Sequence, residues 1–159
     1  MKKLILIILM TGLIGAQAFA ASTGTLRVSG TVSVVNDLVV TPNGTNNTSL
    51  NIIAGESAKN IASVAETSNN GMGYIMQMSS VNAGKLVNAT DATKFTNYTI
   101  SYNGASYAAP NANPTTIKTV SSLNGLTTQS SPVLTNVTAY PAAIAGSYSD
   151  TVTFSIVAN

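Results

Sequence analysis

Apolar residues along this chain recur at every second position, most cleanly at the C-terminal end. In GSYSDTVTFSIVAN, residues 146 to 159, the apolar series is Tyr148, Val152, Phe154, Ile156 and Ala158. Asp150 interrupts it, and the residues between are Ser and Thr until Val157. Side chains of a strand alternate between two faces, whereas apolar positions of a helix recur three and four apart. This spacing therefore predicts a strand with one dry face, and a chain built this way has to pair its strands into sheets.

The same period runs back through the sequence. Leu26, Val28, Gly30, Val32 and Val34 alternate, and Leu38 and Val40 follow before the turn TPNGTNN. Leu50 and Ile52 predict a further strand, and Ile61 to Ala65 a weaker one. Tyr74, Met76 and Met78 mark another, as do Tyr98, Ile100 and Tyr102 ahead of Asn103-Gly104. Ile117 with Val120, Val133 with Val137, and the terminal strand complete the series, separated by turn-rich stretches such as SNNGMG and APNANP. The strongest helical candidate is DATKF at 91 to 95, a single turn capped by Asp91. Seven or eight short strands in one domain predict an all-β antiparallel sandwich.

The first twenty residues have the form of an export signal. Lys2 and Lys3 precede an apolar stretch from Leu4 to Ile14, and Ala18-Phe19-Ala20 places small residues at a cleavage site between Ala20 and Ala21. The apolar stretch is shorter than the ~18 to 20 residues of a spanning helix. The expected organisation is a signal at 1–20, an N-terminal extension at 21–34, and a β-sandwich domain at 35–159. Of seven basic residues, Lys2 and Lys3 leave with the signal, and five then face five acidic residues. A mature chain without net charge gives no footprint for nucleic acid, and its weak self-repulsion suits association.

The chain has no Cys and no His. No disulfide can hold it together in an oxidising compartment, and the usual neutral-pH base, thiol nucleophile and transition-metal ligands are missing. Glu56 and Glu66 are expected on solvated strand ends or loops, and Asp91 is expected to be a solvated loop carboxylate. No enzyme activity, cofactor or metal is predicted.

The two alternating ends carry a resemblance. TLRVSGTVSVV with Gly30 on its apolar face, and the Gly-x-Tyr-x-Asp-x-Val-x-Phe-x-Ile pattern of 146 to 156, resemble subunits of fibres assembled by the chaperone-usher route, particularly the archaic branch with its spore coat protein U-like pilins. Many of those subunits carry cysteines near the first strand; this chain has none. The resemblance implies an immunoglobulin-like sandwich lacking its last strand and completed by a donor strand from a neighbouring subunit. Leu26, Val28, Gly30, Val32 and Val34 would form the donor, with Gly30 admitting a bulky groove residue close to the donor backbone. Tyr148, Val152, Phe154 and Ile156 would line the acceptor groove or the core beneath it. Implied partners are copies of the chain itself, a periplasmic chaperone and an outer-membrane usher, along a route through the periplasm to a cell-surface fimbrium. There it would serve adhesion to host or abiotic surfaces, or biofilm formation. The segment GTVSVV would equally suit the domain's own first strand, and both ends would suit a closed, self-sufficient sandwich. The competing function is a monomeric secreted module binding carbohydrate or another surface through its tyrosines. A small outer-membrane barrel ranks below both.

Overall fold

The computed structural model describes residues 22–159, which fall into two units, one ending at Val32 and the other running from Ser33 to Asn159. The expected signal and its cleavage point at Ala20 and Ala21 lie outside the described residues.

The larger unit is all-β. Its strands are β1 (Asn36–Pro42), β2 (Glu56–Ser68), β3 (Tyr74–Ser80), β4 (Lys85–Asn88), β5 (Phe95–Tyr102), β6 (Thr115–Val120), β7 (Thr127–Val137), β8 (Tyr148–Ser149) and β9 (Val152–Ala158). A curled sheet has the order β1-β2-β7-β5-β4-β8, and a smaller one the order β6-β3-β9. Every pairing in both is antiparallel.

Alternation builds the core, as expected of strands with one dry face. Val64 of β2, Tyr74, Met76 and Met78 of β3, Tyr98, Ile100 and Tyr102 of β5, and Val133 and Val137 of β7 are all buried. The residues between them on β3 and β7 are less covered. Three of the six tyrosines thus serve the core and are not available as sugar platforms. Asn103 and Gly104 both have positive φ, the geometry of a two-residue hairpin turn that Asn-Gly favours.

Several expectations need correction. Leu50 and Ile52 lie in the loop between β1 and β2, where the Ile52 carbonyl accepts a hydrogen bond from the Tyr140 amide. The weak strand at 61–65 is the middle of the 13-residue β2, the partner of both β1 and β7. DATKF forms a turn without a helix: Asp91 accepts from the Thr93 amide and hydroxyl, and β5 begins at Phe95. The terminal strand is two strands. Tyr148–Ser149 pairs with β4 in the curled sheet, and after Asp150 and Thr151 the chain pairs with β3 in the small one.

In the smaller unit, described residues 22–32 belong to no strand, and Leu26, Val28 and Val32 are 86 to 89% exposed. Val34, just inside the larger unit, is 63% exposed.

The turn from β2 to β3 closes the sandwich beside the end of the chain. Gly73 has φ +83°, its carbonyl accepts from the Asn159 amide, and a Cβ there would lie 1.8 Å from the Val120 carbonyl oxygen. Gly73→Ala is expected to cost about 1 to 3 kcal/mol, from the left-handed backbone and the displaced β6 end. Urea unfolding at pH 7 measures it, and an unchanged midpoint contradicts this packing.

Candidate functional site

The two sheets do not close along one side. Among the described residues, β9 pairs with β3 and with no other strand, and β1 pairs only with β2. β1 and β9 lie beside one another without sharing a ladder. An edge strand turns roughly half its N–H and C=O groups outward, and two such edges here face a common opening.

The side chains tell the same story. Met76 and Met78 on β3 are fully covered, yet their cross-strand neighbours Ile156 and Phe154 on β9 are only partly buried, as is Val152. On β1, Leu38 is partly buried and Val40 is 45% exposed. Between Val40 and Pro42 on one side and Val152 on the other lies a cleft of about 200 Å³, walled by Leu50, Ile61 and Ile100. That exceeds the ~150 Å³ sufficient for a benzene-sized guest, so the gap has room for apolar side chains. It adjoins a wider hollow of about 520 Å³ through shared Leu50, Leu86 and Asp150.

The structure brings together Val152, Phe154 and Ile156, the residues expected to line a groove. Phe154 stacks at a tilt on Tyr102, with ring centroids 5.7 Å apart. Tyr148 sits elsewhere, on β8 in the curled sheet. It packs edge-on against Tyr140, its hydroxyl bonds the Ile144 backbone, and it lines the wider hollow. Leu26, Val28, Gly30, Val32 and Val34 are exposed and outside any strand. Nothing lies within 4 Å of where a Gly30 Cβ would be.

Asp150 explains the break between β8 and β9. Its Oδ2 accepts from the hydroxyls of Ser80 and Tyr98, and its Oδ1 from the amides of Asn82, 3.0 Å, and Thr151, 2.7 Å. One carboxylate thus fixes the crossing between sheets by binding both the β3 end and β5. Desolvation, reinforced by Asp150, raises the Tyr98 phenol well above its ordinary pKa despite a lowering contribution from Ser80.

A second polar cluster lies inside the sandwich. Glu66, expected at a solvated position, is fully buried. Its Oε2 accepts from the Tyr74 hydroxyl and the Lys118 Nζ, each at 2.7 Å, and its Oε1 accepts from Ser131 Oγ at 2.6 Å and from the Tyr102 hydroxyl. Lys118 Nζ also donates to Gln129 Oε1 at 3.0 Å. Tyr74 and Lys118 belong to the small sheet, and Glu66, Tyr102 and Ser131 to the curled one, so the cluster clasps the layers together. Burial pushes the Glu66 carboxyl upward, but Lys118 and the three hydroxyls outweigh it and hold its pKa below the usual value. Such a carboxylate is a weak base with its lone pairs occupied. The residues missed in the sequence are Glu66 and Lys118 of this clasp, and Leu38, Val40, Leu50 and Ile61 of the cleft. The clasp draws on β2, β3, β5, β6 and β7, and no local spacing signals it.

No protein-family model matches the chain, and no curated protein does.

Because the Glu66 pKa is depressed in the folded state, its contribution to stability is present above the unfolded value near 4.3 and lost as pH falls through the folded value. Lys118→Met removes the strongest lowering partner and leaves a buried charge. It is expected to cost about 3 to 5 kcal/mol at pH 7 and to move acid unfolding to higher pH. Urea melts across the acid range measure both effects. An acid midpoint unchanged by the substitution contradicts the clasp.

Proposed function

We propose that residues 35–159 form the incomplete sandwich of a fibre subunit, and that the N-terminal segment of a neighbouring copy, residues 22 to 34, fills the opening between β1 and β9. The observation that carries this reading is the pairing of two unmet needs. β9 has an open edge over half-covered Val152, Phe154 and Ile156, and an extended-pattern segment exposes Leu26, Val28, Val32 and Val34. Strand addition satisfies both: the donor backbone bonds the edges, and alternate side chains enter the cleft. Gly30, at the centre of the alternation, keeps the donor thin where it crosses bulky residues.

Magnitudes favour strand addition. Burying four Leu and Val side chains at ~1.5 to 3 kcal/mol each gives about 6 to 12 kcal/mol before ordering costs. A domain of this kind is stable by only about 5 to 15 kcal/mol. The donor is thus a large fraction of the subunit's stability, and a polymer of such contacts is durable once formed.

The fibre is of the chaperone-usher type, as the resemblance of both chain ends implies, and serves adhesion or biofilm formation at a bacterial surface. On this reading the open edge, an aggregation hazard in a free subunit, is covered in transit by a periplasmic chaperone, and an outer-membrane usher catalyses the exchange. The absence of cysteine fits a subunit whose stability comes from its neighbour.

The test compares a protein spanning residues 35–159 with and without a synthetic peptide of residues 22–34. At peptide concentrations about a hundredfold above Kd, the melting temperature is expected to rise by about 10 °C. A melt unmoved by the peptide, in a domain already stable and monomeric, overturns the proposal.

A further inference from the structure

If the opening accepts residues 22–34, a chain has a choice: its own segment or a neighbour's. The tethered segment is present at an effective concentration of order millimolar, so with equal contacts it wins over a dilute second copy. A subunit that polymerises therefore needs something that keeps its own segment out.

The topology fixes what self-insertion requires. β1 starts where β2 ends, since Asn36 pairs with Ser68. β9 finishes at the same pole, since Ala158 pairs with Tyr74 and the Asn159 amide donates to the Gly73 carbonyl. β1 and β9 therefore run in opposite directions. To reach its own cleft, the segment before β1 must reverse at about residues 33–36 and run back as a hairpin against β1.

Asn69 stands at that point. It is one residue past the end of β2, and its backbone N–H donates to the Val35 carbonyl at 3.2 Å. Its side-chain carbonyl accepts from the Val35 N–H at 2.6 Å, and its side-chain NH2 donates to the Ser33 carbonyl at 2.9 Å. The carboxamide takes the place of the next peptide group of β2, prolonging the ladder so that residues 33–35 continue the line of β1. A reversal here has to break these bonds.

The local sequence works the same way. A two-residue hairpin turn needs positive φ at its centre, which Asn and Gly supply and β-branched residues resist. Val34 and Val35 occupy those positions.

We infer that Asn69, with Val34 and Val35, is a clamp that resists the reversal self-insertion requires and so reserves the cleft for a second copy. The inference rests on the fibre reading above and assigns Asn69 a positioning role in it.

The experiment uses three forms of the chain from residue 21 to 159: the native sequence, Asn69→Ala, and the double variant Val35→Gly, Asn69→Ala, in which the introduced glycine supplies the positive φ of a turn while the donor side chains stay unchanged. Each is refolded over a range of concentrations and followed by size-exclusion light scattering and thermal melting, with and without the 22–34 peptide. The native chain is expected to polymerise. Asn69→Ala is expected to raise the monomer-to-polymer ratio roughly tenfold through the two lost side-chain hydrogen bonds. The double variant is expected to be monomeric at all concentrations, with a melt as high as that of the native polymer and no response to peptide. If both variants fold and polymerise like the native chain, the clamp is overturned while the fibre reading stands. If the native chain itself is a stable monomer indifferent to peptide, the fibre reading fails and the clamp with it.

Discussion

The hydrogen-bonding groups of β9 that face away from β3 are the feature on which the rest of this structure turns. A backbone N–H or C=O removed from water without a partner costs free energy comparable to a lost hydrogen bond. A strand can expose one edge to water, but β9 also carries Val152, Phe154 and Ile156 over the open side of the core. Water satisfies the edge and penalises those side chains. Another strand satisfies both, because it supplies backbone partners and a lid in one element.

The remaining architecture keeps that opening from collapsing. Closing the gap would require β1 and β9 to approach, and each is held from its other side by a full ladder, β1 by β2 and β9 by β3. Asp150 fixes the place where the chain leaves the curled sheet, and the Glu66 cluster ties the two layers through Lys118 and Tyr74. A buried charge usually costs stability relative to an apolar core, but it defines one geometry because its partners must all be in place. Here the partners come from β2, β3, β5, β6 and β7, so the clasp sets the separation of the layers and with it the width of the cleft.

What could be read in the sequence follows from how local the causes are. β3, β5 and β9 have strict alternation with large apolar residues, and each was visible from its own residues. β2 is weak in the sequence because Ala62, Glu66 and Ser68 share its buried face with Val64, although it pairs with both β1 and β7. β4 has four residues with Leu86 and Val87 adjacent, too short for any period. Leu50 and Ile52 alternate like a strand, but the turn at 52–54 and the Glu56 contact to the Asn51 amide bend that segment into a loop over the cleft. The split at Asp150 was present as an interruption of the pattern, but its meaning required Ser80, Asn82 and Tyr98, remote in sequence. The alternation of residues 26–34 was legible as a pattern, but among the described residues it forms no strand.

Hydrogen exchange measured by mass spectrometry on residues 35–159, alone and with the 22–34 peptide, bears most directly on the open edge. The account predicts that roughly half the amides of β9 exchange quickly in the free domain and become protected when peptide binds, together with the outer amides of β1, while β3 and β7 change little. Uniform protection of β9 in the free domain, or protection by peptide confined to another surface, would contradict it.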